Sequence, residues 1–151
     1  MTRMELWSLL HGRASEIREK CLKEWQRANQ DVLRLEQHVL KLQQLAEDYA
    51  RRHQEIQSQA HQISQTAELR HTARQLSALR QRTGLELQAA IAHREQCRLR
   101  LQRAETEVLK ARTLSEKAEQ DMKREEATAQ QRREDALAVG GWLRARAETG
   151  H

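Results

Sequence analysis

Apolar residues recur at alternating steps of four and three from Ala28 to Ala67. The series is Ala28, Val32, Leu35, Val39, Leu42, Ala46, Tyr49, His53, Ile56, Ala60, Ile63 and Ala67, and only His53 in it is not apolar. A mean step of 3.5 residues keeps one narrow apolar stripe turned towards a partner helix, which is the signature of a coiled-coil seam. Val32, Val39, Ala46, His53, Ala60 and Ala67 take a positions. Leu35, Leu42, Tyr49, Ile56 and Ile63 take d positions. The stripe extends backwards, more weakly, through Trp25, Cys21, Arg18 and Ala14. His53 is read as a polar residue that sets register, as polar a-position residues do.

The second half repeats the alternation through Leu87, Ala90, Arg94, Cys97, Leu101, Ala104, Val108, Ala111, Ser115, Ala118 and Met122. It continues forward to Glu125, Ala129, Arg132, Ala136 and Val139, and backward to Thr83, Arg80, Leu76, Ala73 and Leu69. The two series do not join, because the first places Arg70 and Arg74 on the seam where the second places Leu69 and Ala73. The phase break between 64 and 72 predicts a turn, with Thr72 to Gln75 as a capping box for the second helix. The rival turn is Thr83-Gly84, with Glu86 completing another box. The first helix is expected over about 3–66, starting from the box Thr2-Arg3-Met4-Glu5. The second is expected over about 70–139, ended by Gly140-Gly141. Each arm is then about 100 Å long, and 140–151 is a flexible tail. The fold class is all-α, a long antiparallel two-helix coiled-coil hairpin forming a single domain over 1–151.

Composition agrees with this pattern. The chain of 151 residues has no Pro and no Phe, and 32% of it is charged. Pro removes a helix hydrogen bond and clashes with the preceding turn, so its absence permits nearly continuous helix. With so few aromatics there is too little apolar bulk for a globular core, and two facing seams are what this composition can bury. No run approaches the ~18 apolar residues of a membrane span. Met4 to Leu10 is too short for a signal peptide and leads into charged residues, so a cytoplasmic protein is expected. Cys21 and Cys97 both fall on seam positions, where a thiol acts as a small apolar side chain. They face each other only if the chain turns near residue 59, so they are expected to lie far apart.

Charge is unevenly spread. Residues 1–50 hold eight basic and eight acidic residues, 51–112 hold twelve and six, and 113–151 hold seven and eight. In a hairpin the tip half is therefore basic and the base balanced. An acidic partner at the tip and a merely solvated Arg-rich surface both account for this. Nucleic acid is not expected, since the basic residues are spread around the helices without aromatics for stacking. Catalytic and cofactor motifs are missing: there is no phosphate loop, no GxGxxG, no HExxH and no CxxC. No two histidines stand three or four residues apart as a helical metal site requires. The chain is read as non-enzymatic, with no cofactor and no metal.

Several apolar residues lie off the seam. Leu6, Trp7, Leu9 and Leu10 at the start, and Trp142 and Leu143 at the end, are expected to meet at the base and to dock another protein. Leu33, Leu40, Leu45, Leu79, Leu85, Leu99, Leu109 and Leu114 are read as widening the helix interface.

A Pro-free, Gln- and Arg-rich hairpin of this length resembles the FliJ/YscO family, the central stalk proteins of bacterial type III secretion and flagellar export. The local match is Leu42-Gln43-Gln44-Leu45-Ala46-Glu47-Asp48-Tyr49, with Arg74-Gln75-Leu76 and Leu79 similar to the start of the family's second helix. The resemblance implies a stalk like that of a rotary ATPase. Its helix ends, with Leu6, Trp7, Leu10 and Trp142, enter a hexameric secretion ATPase and promote its assembly or activity. The faces around Leu42, Leu45, Tyr49, Leu76 and Leu79 meet the cytoplasmic domain of the export gate. It also implies contact with export chaperones and a place in the cytoplasm, peripheral to the membrane-embedded apparatus. No nucleic acid and no membrane insertion are expected, and the isolated protein is expected to be a monomer. The competing reading is a structural coiled-coil scaffold that dimerises through the heptad seam.

Overall fold

The computed structural model describes residues 2–58 and 63–150. Two helices account for almost all of them: α1, Arg3–Ser58, and α2, Ile63–Thr149. The protein is all-α, and the two helices pack against each other as the arms of an antiparallel hairpin. The chain divides into two compact units, Arg18–Arg103 and Met1–Ile17 with Ala104–His151.

In the unit Arg18–Arg103, the end of α1 packs along the beginning of α2. The inward side chains of α1 are Cys21, Trp25, Ala28, Val32, Leu35, Val39, Leu42, Ala46, Tyr49, His53 and Ile56. These repeat the alternating four-three steps read from the sequence. The best-buried are Val32 at 0% exposure, Cys97 at 1% and Ala28 at 2%. On α2 the inward positions include Leu69, Leu76, Thr83, Leu87, Ala90, Arg94, Cys97 and Leu101. Ala28, Ala90 and Cys97 are small, so the helices come close and the core stays thin. Arg94 is half-buried, and the hydrogen bond from its Nη1 to Oδ1 of Asn29 across the helix pair, 3.2 Å, offsets part of the desolvation.

In the other unit the start of α1 lies against α2 from Ala104 onward. Thr2 and Glu5 form the expected capping box. The Thr2 amide donates to Glu5 Oε2, and the Glu5 amide donates to Thr2 Oγ1, each at 3.2 Å. Two of the orphan amide donors at the helix start are thereby satisfied. Met4 shares a shallow groove with Ala118 and Met122, so α1 begins level with that part of α2.

The chain reverses elsewhere than expected. Residues 65–72 are helical, and Thr72 Oγ1 donates to the Glu68 carbonyl at 3.0 Å, which is how a threonine inside a helix satisfies its hydroxyl. Thr83 and Gly84 are also mid-helix, with Thr83 buried. The phase slip that suggested a turn is absorbed within α2, whose inward residues Thr66, Leu69, Thr72 and Leu76 step by three, three and four. A short step of this kind overwinds the seam locally without breaking the helix. Ala67, Ala73 and Arg80, expected on the seam, are exposed. Ala60 and the side chain of Ile63 fall outside the described residues.

The arms are consequently unequal, 56 residues against 87. Glu125, Ala129, Arg132, Ala136 and Val139 continue the stripe of α2 but are exposed, because α1 starts level with Ala118–Met122. Gly140 and Gly141 do not end the helix, and no described glycine has a positive φ. A Cβ at Gly141 meets nothing within 4 Å, and one at Gly140 meets only Arg144 Nη2 at 4.0 Å. Alanine at each should stabilise the local helix by about 1 kcal/mol. Amide exchange over 137–146 is expected to slow several-fold in Gly140→Ala/Gly141→Ala; unchanged exchange would mean the glycines do not limit this stretch.

Candidate functional site

Two grooves gather the residues expected to bind partners. The first lies in the unit Arg18–Arg103. It has a volume of about 270 Å³, with Tyr49, Ala46 and His53 on α1 and Leu69, Ala73 and Leu76 on α2, and Arg70 and Arg80 at its edge. Among the described residues no carboxylate lines it. Tyr49 and Leu76 thus meet in one groove, both half-buried. Leu42 is half-buried nearby, while Leu45 and Leu79 are 45% and 46% exposed. The Arg52 guanidinium lies over the Tyr49 ring, 5.8 Å from its centroid. A cation over an aromatic face is favourable and fixes the ring's orientation.

His53 closes one side of this groove. Its Nε2 lies 3.2 Å from Gln57 Nε2, while its Nδ1 is buried and has no hydrogen-bonding partner among the described residues. An unsatisfied buried polar atom costs free energy that an apolar side chain does not. His53→Leu is therefore expected to raise stability by about 1 kcal/mol, read as a higher thermal midpoint. A lower midpoint would show that Nδ1 has a use that its surroundings hide.

The second groove lies in the unit Met1–Ile17 with Ala104–His151. It has a volume of about 410 Å³ and is lined mainly by Trp7, Leu10, Ala14 and Ile17 on α1 and Ala104, Ala111 and Leu114 on α2. Trp7 is half-buried, Leu10 is exposed, and Leu6 lies exposed beside them. Trp142 and Leu143 do not join this cluster. They lie on α2 more than twenty residues beyond Ala118, about 35 Å further along the helix axis, so the two ends do not meet at a common base. The unequal arms cause this. Trp142 and Leu143 are 57% and 54% exposed, and Trp142 carries Arg146 over its ring at 5.1 Å. Ile17 was not singled out as a site residue from the sequence. It stands beside Arg18, where the stripe is weakest and its phase hard to read.

Ion pairs on the surface run along single helices, as in Arg82–Glu86 and Arg112–Glu116. The best-formed pair is Glu95 with Arg98, where Nε and Nη2 donate to the carboxylate at 2.7–3.1 Å. That hydrogen bonding holds the Glu95 carboxyl below its ordinary pKa. Its contribution is present above the ordinary carboxylate value and fades as pH falls through the lowered one. Full exposure keeps it small. Among the described residues there is no cluster of three metal-ligating side chains, and no helix is long and apolar enough to cross a membrane.

Compared with known families, residues 7–147 match the model of the flagellar FliJ protein. The chain belongs to the FliJ family. This is the family of flagellar export stalk proteins, so the chain is a component of a flagellar or type III export apparatus. The match takes in both grooves, and it includes Trp142 and Leu143 in the overhanging part of α2. No curated protein and no solved structure matches the chain.

Proposed function

We propose that this protein is a non-enzymatic stalk or adaptor that links the hexameric secretion ATPase to the export gate. In this reading it is cytoplasmic and peripheral to the membrane-embedded apparatus. The start of α1, with Leu6, Trp7 and Leu10, and the overhanging end of α2, with Trp142, enter the ATPase ring and promote its assembly or activity. The groove of Tyr49 and Leu76, with Leu42, Leu45 and Leu79, receives the gate's cytoplasmic domain. Export chaperones are further partners. The observation that supports the reading most is the family match over 7–147. The exposed Leu137, Val139, Trp142 and Leu143 agree with it, since an unpaired helix carrying large apolar side chains calls for a protein surface.

The test is a titration of the full-length protein into the secretion ATPase of the same export system, with hydrolysis as the readout. Stimulation is expected. Trp142→Ala/Leu143→Ala should raise the concentration required at least about tenfold, as loss of central interface anchors does, and Trp7→Ala/Leu10→Ala should act in the same direction. No stimulation together with no co-migration would remove the ATPase from the reading. The scaffold alternative draws on one observation, the seam of α2 that continues unpaired past Met122. A dimeric mass of the isolated protein in light scattering would favour it, and a monomeric mass the stalk.

A further inference from the structure

In the unit Met1–Ile17 with Ala104–His151, an apolar groove and an apolar helix lie on one molecule without meeting. The groove, about 410 Å³, runs between residues 7–17 of α1 and 104–114 of α2. The helix is the end of α2, where Leu137, Val139, Trp142 and Leu143 are each more than half exposed. Trp142 stands 28 residues beyond Leu114 on one unbroken helix, about 42 Å along its axis. The end of α2 therefore cannot fill its own groove, but a second copy can supply it.

The helix faces agree with that occupant. Twenty-eight residues are four heptads, so Val139 lies on the side of α2 that carries Ala111, and Trp142 on the side that carries Leu114. Ala111 and Leu114 both line the groove. A two-fold axis across an antiparallel pair of α2 helices sets the Leu114–Trp142 side of each against the other. The same axis turns the Val139 side of each α2 end towards the partner's α1, because that side faces α1 within the hairpin.

The charges set the register. Along α2 the sequence is acidic over 105–107, basic over 110–112 and net acidic over 116–121. Further on it is basic over 132–133, acidic over 134–135 and basic over 144–146. Laid antiparallel about an axis near residue 124, each of these blocks faces one of opposite sign. At the axis itself, Lys123 and Arg124 of one copy meet Glu125 and Glu126 of the other. Complementarity of this kind fixes register more than it adds affinity. In this register the uncharged run 136–143 lies level with 105–112, over the groove. The two α1 helices do not overlap, since α1 begins level with Ala118–Met122, short of the axis.

We infer that the chain forms a two-fold homodimer in which each α2 end fills the other copy's groove. The dimer covers Trp7, Leu10 and Trp142, the side chains assigned above to the ATPase ring, so a paired stalk is held out of that ring. The pairing itself does not depend on the ATPase being the partner. It also differs from the scaffold, in which two α2 ends lie side by side along their seams. A dimeric mass thus speaks for the scaffold only when cross-links place the two ends together.

The test uses full-length protein in a Cys21→Ser/Cys97→Ser background, with single added cysteines joined by a short bismaleimide and covalent dimer read on a denaturing gel. Arg124→Cys, near the axis, is expected to link to its own kind. Ala136→Cys is not, since it lies level with residue 112 of the partner, about 36 Å from the partner's own residue 136. Ala136→Cys mixed with Arg13→Cys, at the groove, should link at least about tenfold more than Ala136→Cys mixed with Leu79→Cys. In sedimentation equilibrium the native chain should be a dimer. Val139→Asp/Trp142→Asp should raise its dissociation constant at least about tenfold, with the circular dichroism melt of the dilute protein unchanged because both residues are exposed in the single chain. Self-linking of Ala136→Cys without the mixed link would mean that the α2 ends pair with each other, and would overturn the exchange. A monomer at every concentration, or a dimer indifferent to Val139→Asp/Trp142→Asp, would overturn it as well.

Discussion

Val32→Asp is expected to unfold most of the helix pair in the unit Arg18–Arg103, losing about 3 kcal/mol or more. Val32 is 0% exposed and stands near the middle of the best stretch of seam. Its neighbours along α1 are Ala28 and Leu35, both buried, so a carboxylate there is stripped of water in a seam too thin to hydrate it without separating the helices. A seam of this kind has little surplus stability, because each heptad buries few methylenes and long helices depend on packing for most of their stability. The control is Leu33→Asp. Leu33 is the next residue and 50% exposed, and a charge there is expected to shift stability by no more than about 0.5 kcal/mol. Far-UV circular dichroism melts of the two variants read the difference directly. Similar melts would mean that the seam at Val32 is not what holds the pair together.

The same physical contrast explains what could be read from the sequence. The α1 stripe from Ala28 to Ile56 was legible because alternating steps of four and three tie burial to position, and each of these residues is inward in the fold. The α2 stripe from Thr83 to Ala118 was legible for the same reason, as was the Thr2–Glu5 box, whose reciprocal bonds are local. The reversal of the chain was not legible. A change of seam phase near 64–72 looks the same in sequence whether a helix breaks or merely overwinds, and Thr72 can cap a helix start or bond back to Glu68 within one. Gly140 and Gly141 misled in the same way. Glycine is common just past helix ends, but nothing forces a positive φ there, and α2 runs on to Thr149. A reversal at 64–72 makes the two arms equal and sets Trp142 beside Trp7, whereas with α1 ending at Ser58 Trp142 lies far along an unpaired stretch of α2. Tyr49 and Leu76 share one groove because α1 ends at Ser58 and α2 begins at Ile63; a reversal at 64–72 would set Tyr49 level with Leu87 instead.

That groove carries the other large expected effect. Tyr49→Ala/Leu76→Ala should weaken binding of the export gate's cytoplasmic domain by roughly 100-fold, since each truncation removes an anchor worth about 2 kcal/mol at an interface centre and such losses only partly add. Both side chains are half-buried in the hairpin itself, so this variant also thins the helix pair, and its melt must be measured beside its affinity. Leu45→Asp and Leu79→Asp separate the two effects. Leu45 and Leu79 are 45% and 46% exposed, so a carboxylate at either is hydrated in the free stalk and costs the fold little. Pressed into a docked interface, the same carboxylate loses its water. Arg70 and Arg80 in the groove lining, with no carboxylate beside them among the described residues that line it, favour an acidic segment in the bound partner, which an added aspartate repels. Binding should therefore fall in both variants while the melts stay near that of the native chain. Affinity should also weaken as salt is raised, because exposed guanidinium charges are screened beyond about 10 Å at 0.1 M. If Leu45→Asp and Leu79→Asp bind the gate as the native chain does, the groove faces something else, and the loss in the Tyr49→Ala/Leu76→Ala variant would report only a weakened helix pair.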